Sequence, residues 1–260
     1  MYTQKSVLSR ASSSYLVIIF TFISVFALSS CATTDEETFE DSDKTAAALY
    51  EEAKSALAQE DYETAIQKLE SLEARFPFGK YAQQAQLDMA YAYYKFEEPE
   101  SSISSASRFI KLYPRHPHAD YAYYLKGLVK FTQGQSIFDG LTSQDPSQRD
   151  PEAASKSFQF FSELIQRYPD SKYAKDAAER MVYLRNNLAK HELNAARHYM
   201  NRKAYLAAAN RAKYIVENFQ STPAISDALL VMVSAYKALR LDDLANDTQR
   251  VYDLNFANKK

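Results

Sequence analysis

The apolar and polar residues divide the chain into three stretches. A block of fourteen mainly apolar residues, Tyr15 to Leu28, follows Lys5 and Arg10. A bilayer-spanning helix needs about 20 such residues, so the block reads as the core of a secretory signal peptide. Next, Asp35, Glu36, Glu37, Glu40, Asp41 and Asp43 crowd into nine residues. So acidic a run buries too little apolar surface to fold and is expected to be disordered. The remainder is punctuated by five aromatic-then-breaker signatures: Phe76-Pro77, Tyr113-Pro114, Tyr168-Pro169, Phe219-Gln220 and Phe256-Ala257.

Their spacings, 37, 55, 51 and 37 residues, suggest a repeat with two insertions. Counting back tests the tetratricopeptide pattern, in which two antiparallel helices need small residues where they cross. Twelve residues before each breaker stand Ala65, Ser102, Ser157, Ala208 and Ala245, all small. The first-helix crossing holds Ala53, Ala90, Gly127, Ala196 and Val233, small in four cases of five. Tyr93, Tyr199 and Tyr236 fill the usual aromatic site of that helix, while the pattern's tryptophan is replaced by Leu49, Gln86, Tyr123, Glu192 and Leu229. The segment from Gly134 to Pro151, with Gly140, Asp145-Pro146 and Asp150-Pro151, carries turn signals and reads as a loop inserted in repeat three. Between Ser171 and Met200 there is neither glycine nor proline. The surplus of fourteen residues is close to four helical turns there, so one continuous helix of about 28 residues keeps its packing face in register.

The expected fold is therefore all-α, a tetratricopeptide superhelix of five helix pairs over residues 45–258. The repeats fall near 46–77, 82–114, 119–169, 171–220 and 224–257. Composition agrees: with only 4 glycines in 260 residues the chain lacks the turns that β-sandwiches and dinucleotide-binding folds require. A formal charge of −2 with no basic block argues against nucleic acid as a partner.

The only cysteine sits at Leu28-Ser29-Ser30-Cys31, which resembles a bacterial lipobox and marks residues 1–30 as a lipoprotein signal peptide. Ala32, rather than aspartate, after the lipidated cysteine suggests sorting to the outer membrane. Cleavage removes Lys5 and Arg10 and takes the formal charge from −2 to −4. Residues 31–44 then form a lipidated cysteine and a flexible tether reaching about 45 Å when extended.

In tetratricopeptide proteins the first helices line a concave groove. The positions carried over are Tyr50 and Lys54, then Gln84, Leu87, Tyr91 and Tyr94, then Tyr121, Tyr124, Leu128 and Phe131, with Lys95 near an edge and Phe76 at the first breaker. Tyrosine offers a large contact area at small entropic cost and a hydroxyl for hydrogen bonding, which suits peptide capture.

Catalytic chemistry has little support. His191-Glu192 begins a zinc motif, but Ala195 stands where the second ligand belongs. His116 and His118 flank Pro117 without a carboxylate or thiol at metal spacing. Gly79-Lys80 has no phosphate-loop glycine upstream, and Gly134-Gln135-Ser136-Ile137-Phe138 lacks the second glycine of a nucleophile elbow. No enzyme, cofactor or metal site is expected.

Arg75-Phe76-Pro77-Phe78-Gly79, Tyr81, Gln83-Gln84, Gln86-Leu87-Asp88 and Tyr91-Ala92-Tyr93-Tyr94-Lys95 together resemble the N-terminal signature of the BamD, or ComL, family. Further matches are Arg108-Phe109-Ile110, His116-Pro117 with Asp120-Tyr121, Arg149-Asp150-Pro151 and Asn210-Arg211; the likeness is looser in repeat five. The resemblance implies a periplasmic-face lipoprotein of the outer-membrane β-barrel assembly machinery. Such a protein binds the C-terminal targeting segment of unfolded outer-membrane proteins and docks onto BamA, beside other lipoproteins. It also implies that Arg211, with Asn210, takes part in that docking. The alternatives are a peptidoglycan-associated tetratricopeptide lipoprotein, also proposed under the ComL name, and a periplasmic hydrolase using residues 134–151 as a lid.

Overall fold

A computed structural model describes residues 44–133, Ser147 and 151–257. The expected signal peptide, Cys31, the acidic run and nearly all of the expected 134–151 loop lie outside the described residues. Lys44, assigned to the flexible tether, is held instead: its ammonium meets Glu52 at 2.8 Å, and its carbonyl accepts from Arg75 at 2.9 Å.

Among the described residues there are ten α-helices: α1 (Ala46–Ala58), α2 (Tyr62–Arg75), α3 (Lys80–Lys95), α4 (Pro99–Leu112), α5 (Ala119–Gln133), α6 (Pro151–Arg167), α7 (Ala174–Asn201), α8 (Tyr205–Asn218), α9 (Ala224–Ala238) and α10 (Asp242–Tyr252). Each packs on its neighbours in sequence, so the chain is a stack of five antiparallel pairs. Among the described residues there is no strand. Thr45 and Asp61 cap α1 and α2 by accepting from the amides of Ala48 and Thr64.

All ten crossing positions are buried. Serine at two of them also ties its pair together: Ser102 donates to the Ala90 carbonyl at 2.7 Å, and Ser157 to that of Gly127 at 2.9 Å. Before proline a residue is pushed out of the α region, and Phe76 (φ −129°) and Tyr113 (φ −128°) accordingly end α2 and α4. Phe219 ends α8 in the same conformation without a proline. The fifth signature behaves differently. Phe256-Ala257 lies in a π-helical turn, Asp253–Ala257, that continues α10 rather than stopping it.

Inside four of the pairs the connection is one repeated turn. Glu60, Glu97, Lys203 and Arg240 adopt positive φ of 58–62°. The following amide then reaches back five residues, as from Asp61 to Ala56 and from Glu98 to Tyr93. This is the hydrogen-bonding of a Schellman cap, in which glycine usually takes the left-handed position.

Helix α7 runs for 28 residues. Its first half completes the core of pair three, with Ala177 and Leu184 against Phe161 and Leu164. Its second half acts as first helix of pair four, with Ala189, Leu193 and Ala196 against Ala212 and Ile215. One rigid rod thus belongs to two successive layers. Ser147 is buried against it: His191 Nδ1 meets the Ser147 carbonyl oxygen at 2.8 Å, and Asn194 donates to the Ser147 hydroxyl at 3.0 Å. His191 therefore has a structural partner inside the protein.

Candidate peptide-binding groove

Helix α3 touches α1 on one side and α5 on the other, so the first helices of pairs one to three form one wall. At its start Asp88 of α3 is a hub. It accepts from the Tyr50 hydroxyl at 2.9 Å and from Gln84 at 3.0 Å, while the Lys54 ammonium stands 3.7 Å away. Burial first, then the Asp88 carboxylate, pushes the Tyr50 phenol well above its ordinary range. Three residues expected from the sequence thus converge on a fourth that the groove assignment omitted.

Farther along, Tyr91 and Tyr94 are half-buried at the edge of the pair-two core. Tyr91 meets Tyr62 of α2 edge to face at 6.5 Å, and the exposed Lys95 ammonium lies 5.6 Å from the Tyr62 ring. The phenols of Tyr62 and Tyr91 hold the Lys95 ammonium above its usual value.

The far end of the wall is completed from α7. Tyr173, which caps α7, stacks on Tyr124 at 4.7 Å and 16°, and its ring centre is 5.5 Å from that of Tyr121. The Tyr124 hydroxyl donates to Asp176 at 2.5 Å, and Arg180 holds the same carboxylate at 2.6 Å. Burial is the main reason that the Tyr121 phenol is raised; Tyr173, Tyr91, Asp88 and Tyr94 act in the same direction. Tyr91, Tyr94 and Tyr121 all pack against the core cluster shared by α3, α4 and α5.

Several expected residues fall elsewhere. Leu87 is 3% exposed and belongs to the core between α3, α4 and α5, so it offers no groove surface. Phe131 is likewise in the core, edge-on to Phe161 and beneath Arg180, with Leu128 packed against the same cluster. Phe76 seals the end of the pair-one core, with the Arg75 guanidinium 5.1 Å from its ring. The one-face rule of a helix misassigned Leu87 and Phe131 because α3 and α5 are packed on more than one side. Tyr173 was missed although the sequence carried a signal for it: it stands four residues after Pro169, as Tyr81 stands four after Pro77, each in Lys-Tyr-Ala.

Asn210 and Arg211 are exposed on α8, the second helix of pair four, apart from this wall. Arg211 donates to Glu192 of α7 at 2.8 Å; Glu192, at the site of the pattern's tryptophan, has a side chain only 16% exposed. That hydrogen bond, and then the charge of Glu192, raise the Arg211 pKa. Among the described residues no three His, Cys, Asp or Glu side chains converge to hold a metal. No helix among them is long and apolar enough to cross a membrane.

Stacked helix pairs with an aromatic wall on the first helices define the class, a tetratricopeptide-type scaffold. The model of the YfiO family, described as outer membrane lipoprotein, matches residues 42–251. The outer membrane protein assembly factor BamD of Neisseria gonorrhoeae is 46% identical over 233 residues, covering 88% of this chain and 87% of that protein. Its namesake in Vibrio cholerae is 39% identical over 207 residues, 80% of this chain and 86% of that protein. The chain belongs to the YfiO family of outer membrane lipoproteins.

Proposed function

We propose that this protein is a lipoprotein subunit of the outer-membrane β-barrel assembly machinery, anchored at the periplasmic face through lipidated Cys31. It acts as a scaffold rather than an enzyme. Its groove takes the C-terminal segment of unfolded outer-membrane proteins, and its α8 surface docks onto BamA. The machinery assignment follows the shared name of relatives that match most of the chain, which favours assembly over the peptidoglycan-associated alternative.

The observation that supports client binding is the set of tyrosines on neighbouring helices: Tyr91, Tyr94 and Tyr121 against one core, and Tyr173 beside Tyr121 and Tyr124. Asp88 and Asp176 occupy the hydroxyls of Tyr50 and Tyr124, so these two residues offer apolar ring surface more than free donors. A terminal aromatic side chain can stack there. The terminal carboxylate finds a charge complement in Lys54 and Lys95, both exposed at the near end. The test has two arms. Protein anchored by Cys31 and extracted in detergent should bring down BamA. Purified protein should bind a peptide ending in phenylalanine more tightly than its C-terminal amide. Failure of the first arm removes the machinery role, and failure of the second removes the groove as client site.

A further inference from the structure

Because the helices alternate in direction, the connections between successive pairs fall on one edge of the stack. Arg75 at the end of α2 donates to the Lys44 carbonyl, Arg108 of α4 meets Glu73 of α2, and the Tyr168 hydroxyl donates to the Pro114 carbonyl at 3.3 Å. The point where the chain enters α1 and the first three connections are therefore neighbours. Lys80, Lys111, Arg115, Lys172 and Lys175 stand exposed along this edge. Among the described residues none of the five pairs with a carboxylate; Lys80 and Lys172 only lie near the rings of Tyr81 and Tyr173. Within the connections themselves, residues 76–79, 113–118 and 168–173, the one carboxylate is Asp170. Of the acids just beyond them, Asp120 accepts from Ser171 and Asp176 from Arg180. The opposite edge, formed by the turns inside pairs one and two, carries Glu60, Asp61, Glu97 and Glu98, all exposed. A chain of net negative charge thus turns one basic edge outward.

That same edge bears apolar tips. Phe76 seals a core, but Phe78, two residues on, is 88% exposed, and Leu112 at the end of α4 is half exposed. Gly79 at φ 101° turns the chain back into α3, with open space around it. An exposed apolar side chain alone needs no explanation. Here it shares an edge with unpaired cations and with the entry of the chain. Thirteen residues separate Lys44 from Cys31, a reach of at most about 45 Å. A lipid at Cys31 would keep the domain close to a bilayer, so a surface contact weak in itself would be populated. Basic side chains are drawn to anionic headgroups, and phenylalanine and leucine enter the headgroup and acyl boundary.

We propose that the edge formed by the connections after α2 and α4 rests on the anionic lipid surface in which the protein is anchored, with Phe78 inserted at the interface. The acidic turns then face away from the membrane, which gives the domain a fixed orientation. This rests on the reading of Cys31 as lipidated and is independent of the tyrosine groove.

The chain has no tryptophan, so one introduced residue reports on its own surroundings. Lipidated full-length protein carrying Phe78→Trp is reconstituted into vesicles of equimolar phosphatidylcholine and phosphatidylglycerol, with and without brominated acyl chains. Its emission should shift to the blue and be quenched by the bromine. Phe96→Trp, at a partly exposed aromatic position on the opposite edge, should show neither effect. Lys80→Glu, Lys111→Glu and Arg115→Glu together should abolish the quenching of Phe78→Trp. So should salt raised to about 1 M, where charges are screened beyond about 3 Å. The proposal is overturned by vesicle-bound Phe78→Trp protein without quenching, by equal quenching at both positions, or by quenching that survives the three charge reversals. An equal blue shift on adding purified BamA to protein in detergent would assign the edge to that partner and also overturn it. Mass spectrometry of the intact protein separates the two readings. Unlipidated Cys31 overturns both, whereas lipidated protein that leaves Phe78→Trp unquenched overturns this one alone.

Discussion

Gly127 and Phe161 are in contact so close that a methyl group cannot be placed between them. A Cβ built on Gly127 would lie 2.3 Å from the Phe161 ring, and Phe161 is fully buried. Two helices approach here at the third crossing, where Ser157 also donates to the Gly127 carbonyl. Gly127→Ala should therefore destabilise the protein by about 1–3 kcal/mol through overpacking, despite alanine's better helix propensity. Urea unfolding measures it, and Gly127→Ala in a Phe161→Leu background should recover part of the loss. A more stable single variant would contradict the packing described.

The left-handed turn residues offer a change in the opposite direction. Lys203 sits at φ 59° between α7 and α8. A side chain there costs roughly 1–2 kcal/mol relative to the right-handed region, and glycine is largely free of that cost. Lys203→Gly should raise stability by up to about 1 kcal/mol after its greater unfolded-state entropy is counted. Thermal melting is the readout, with Arg240→Gly as an independent repeat of the same experiment.

Replacing Tyr91 and Tyr94 together by alanine tests the groove. Both are half-buried at the edge of a core, so circular dichroism and melting accompany the binding measurement. Affinity for a peptide ending in phenylalanine should fall by about thirtyfold, the loss of an anchor worth about 2 kcal/mol, while BamA still co-purifies. Parental affinity in a folded variant would move the client site elsewhere.

Arg211→Glu places a carboxylate against Glu192, where a 2.8 Å ion pair stands. The helical fold should persist, since the arginine is exposed and such pairs contribute about 0–1 kcal/mol. Association with BamA should weaken, because like charges across a contact are strongly unfavourable. Adding Glu192→Arg restores the internal pair with its charges exchanged. If the double variant regains stability but not BamA, the arginine acts at the interface; if it regains both, the pair acts only through the fold.

A pH dependence follows from Asp176. Hydrogen bonding from Arg180, and then from Tyr124, lowers its pKa. A carboxylate depressed in the folded state contributes stability above its unfolded pKa and loses that contribution as pH falls through the folded value. The contact between α5 and the start of α7 should therefore weaken in acid below about pH 4. Asp176→Asn should flatten that part of the stability profile, as measured by urea unfolding at several pH values.

The repeat was legible because crossing helices impose a local demand. A position twelve residues before each breaker must be small, and Ala65, Ser102, Ser157, Ala208 and Ala245 record it in one dimension. The long helix was legible for a similar reason, since an uninterrupted stretch free of glycine and proline has no local instruction to stop. The four Schellman turns were not, because Glu60, Glu97, Lys203 and Arg240 carry no left-handed preference of their own. The packing of the helices on either side holds them there. For the groove, sequence placed Tyr50, Gln84, Tyr91, Tyr94, Tyr121 and Tyr124 on the first helices, which periodicity is able to do. It could not say that Leu87 and Phe131 turn into the core, that Asp88 joins Tyr50 to Gln84, or that Tyr173 crosses from α7 to stack on Tyr124. Helical periodicity fixes the angle at which a side chain leaves its own axis. Only the stacking of several axes decides which of those angles face solvent and which face another helix.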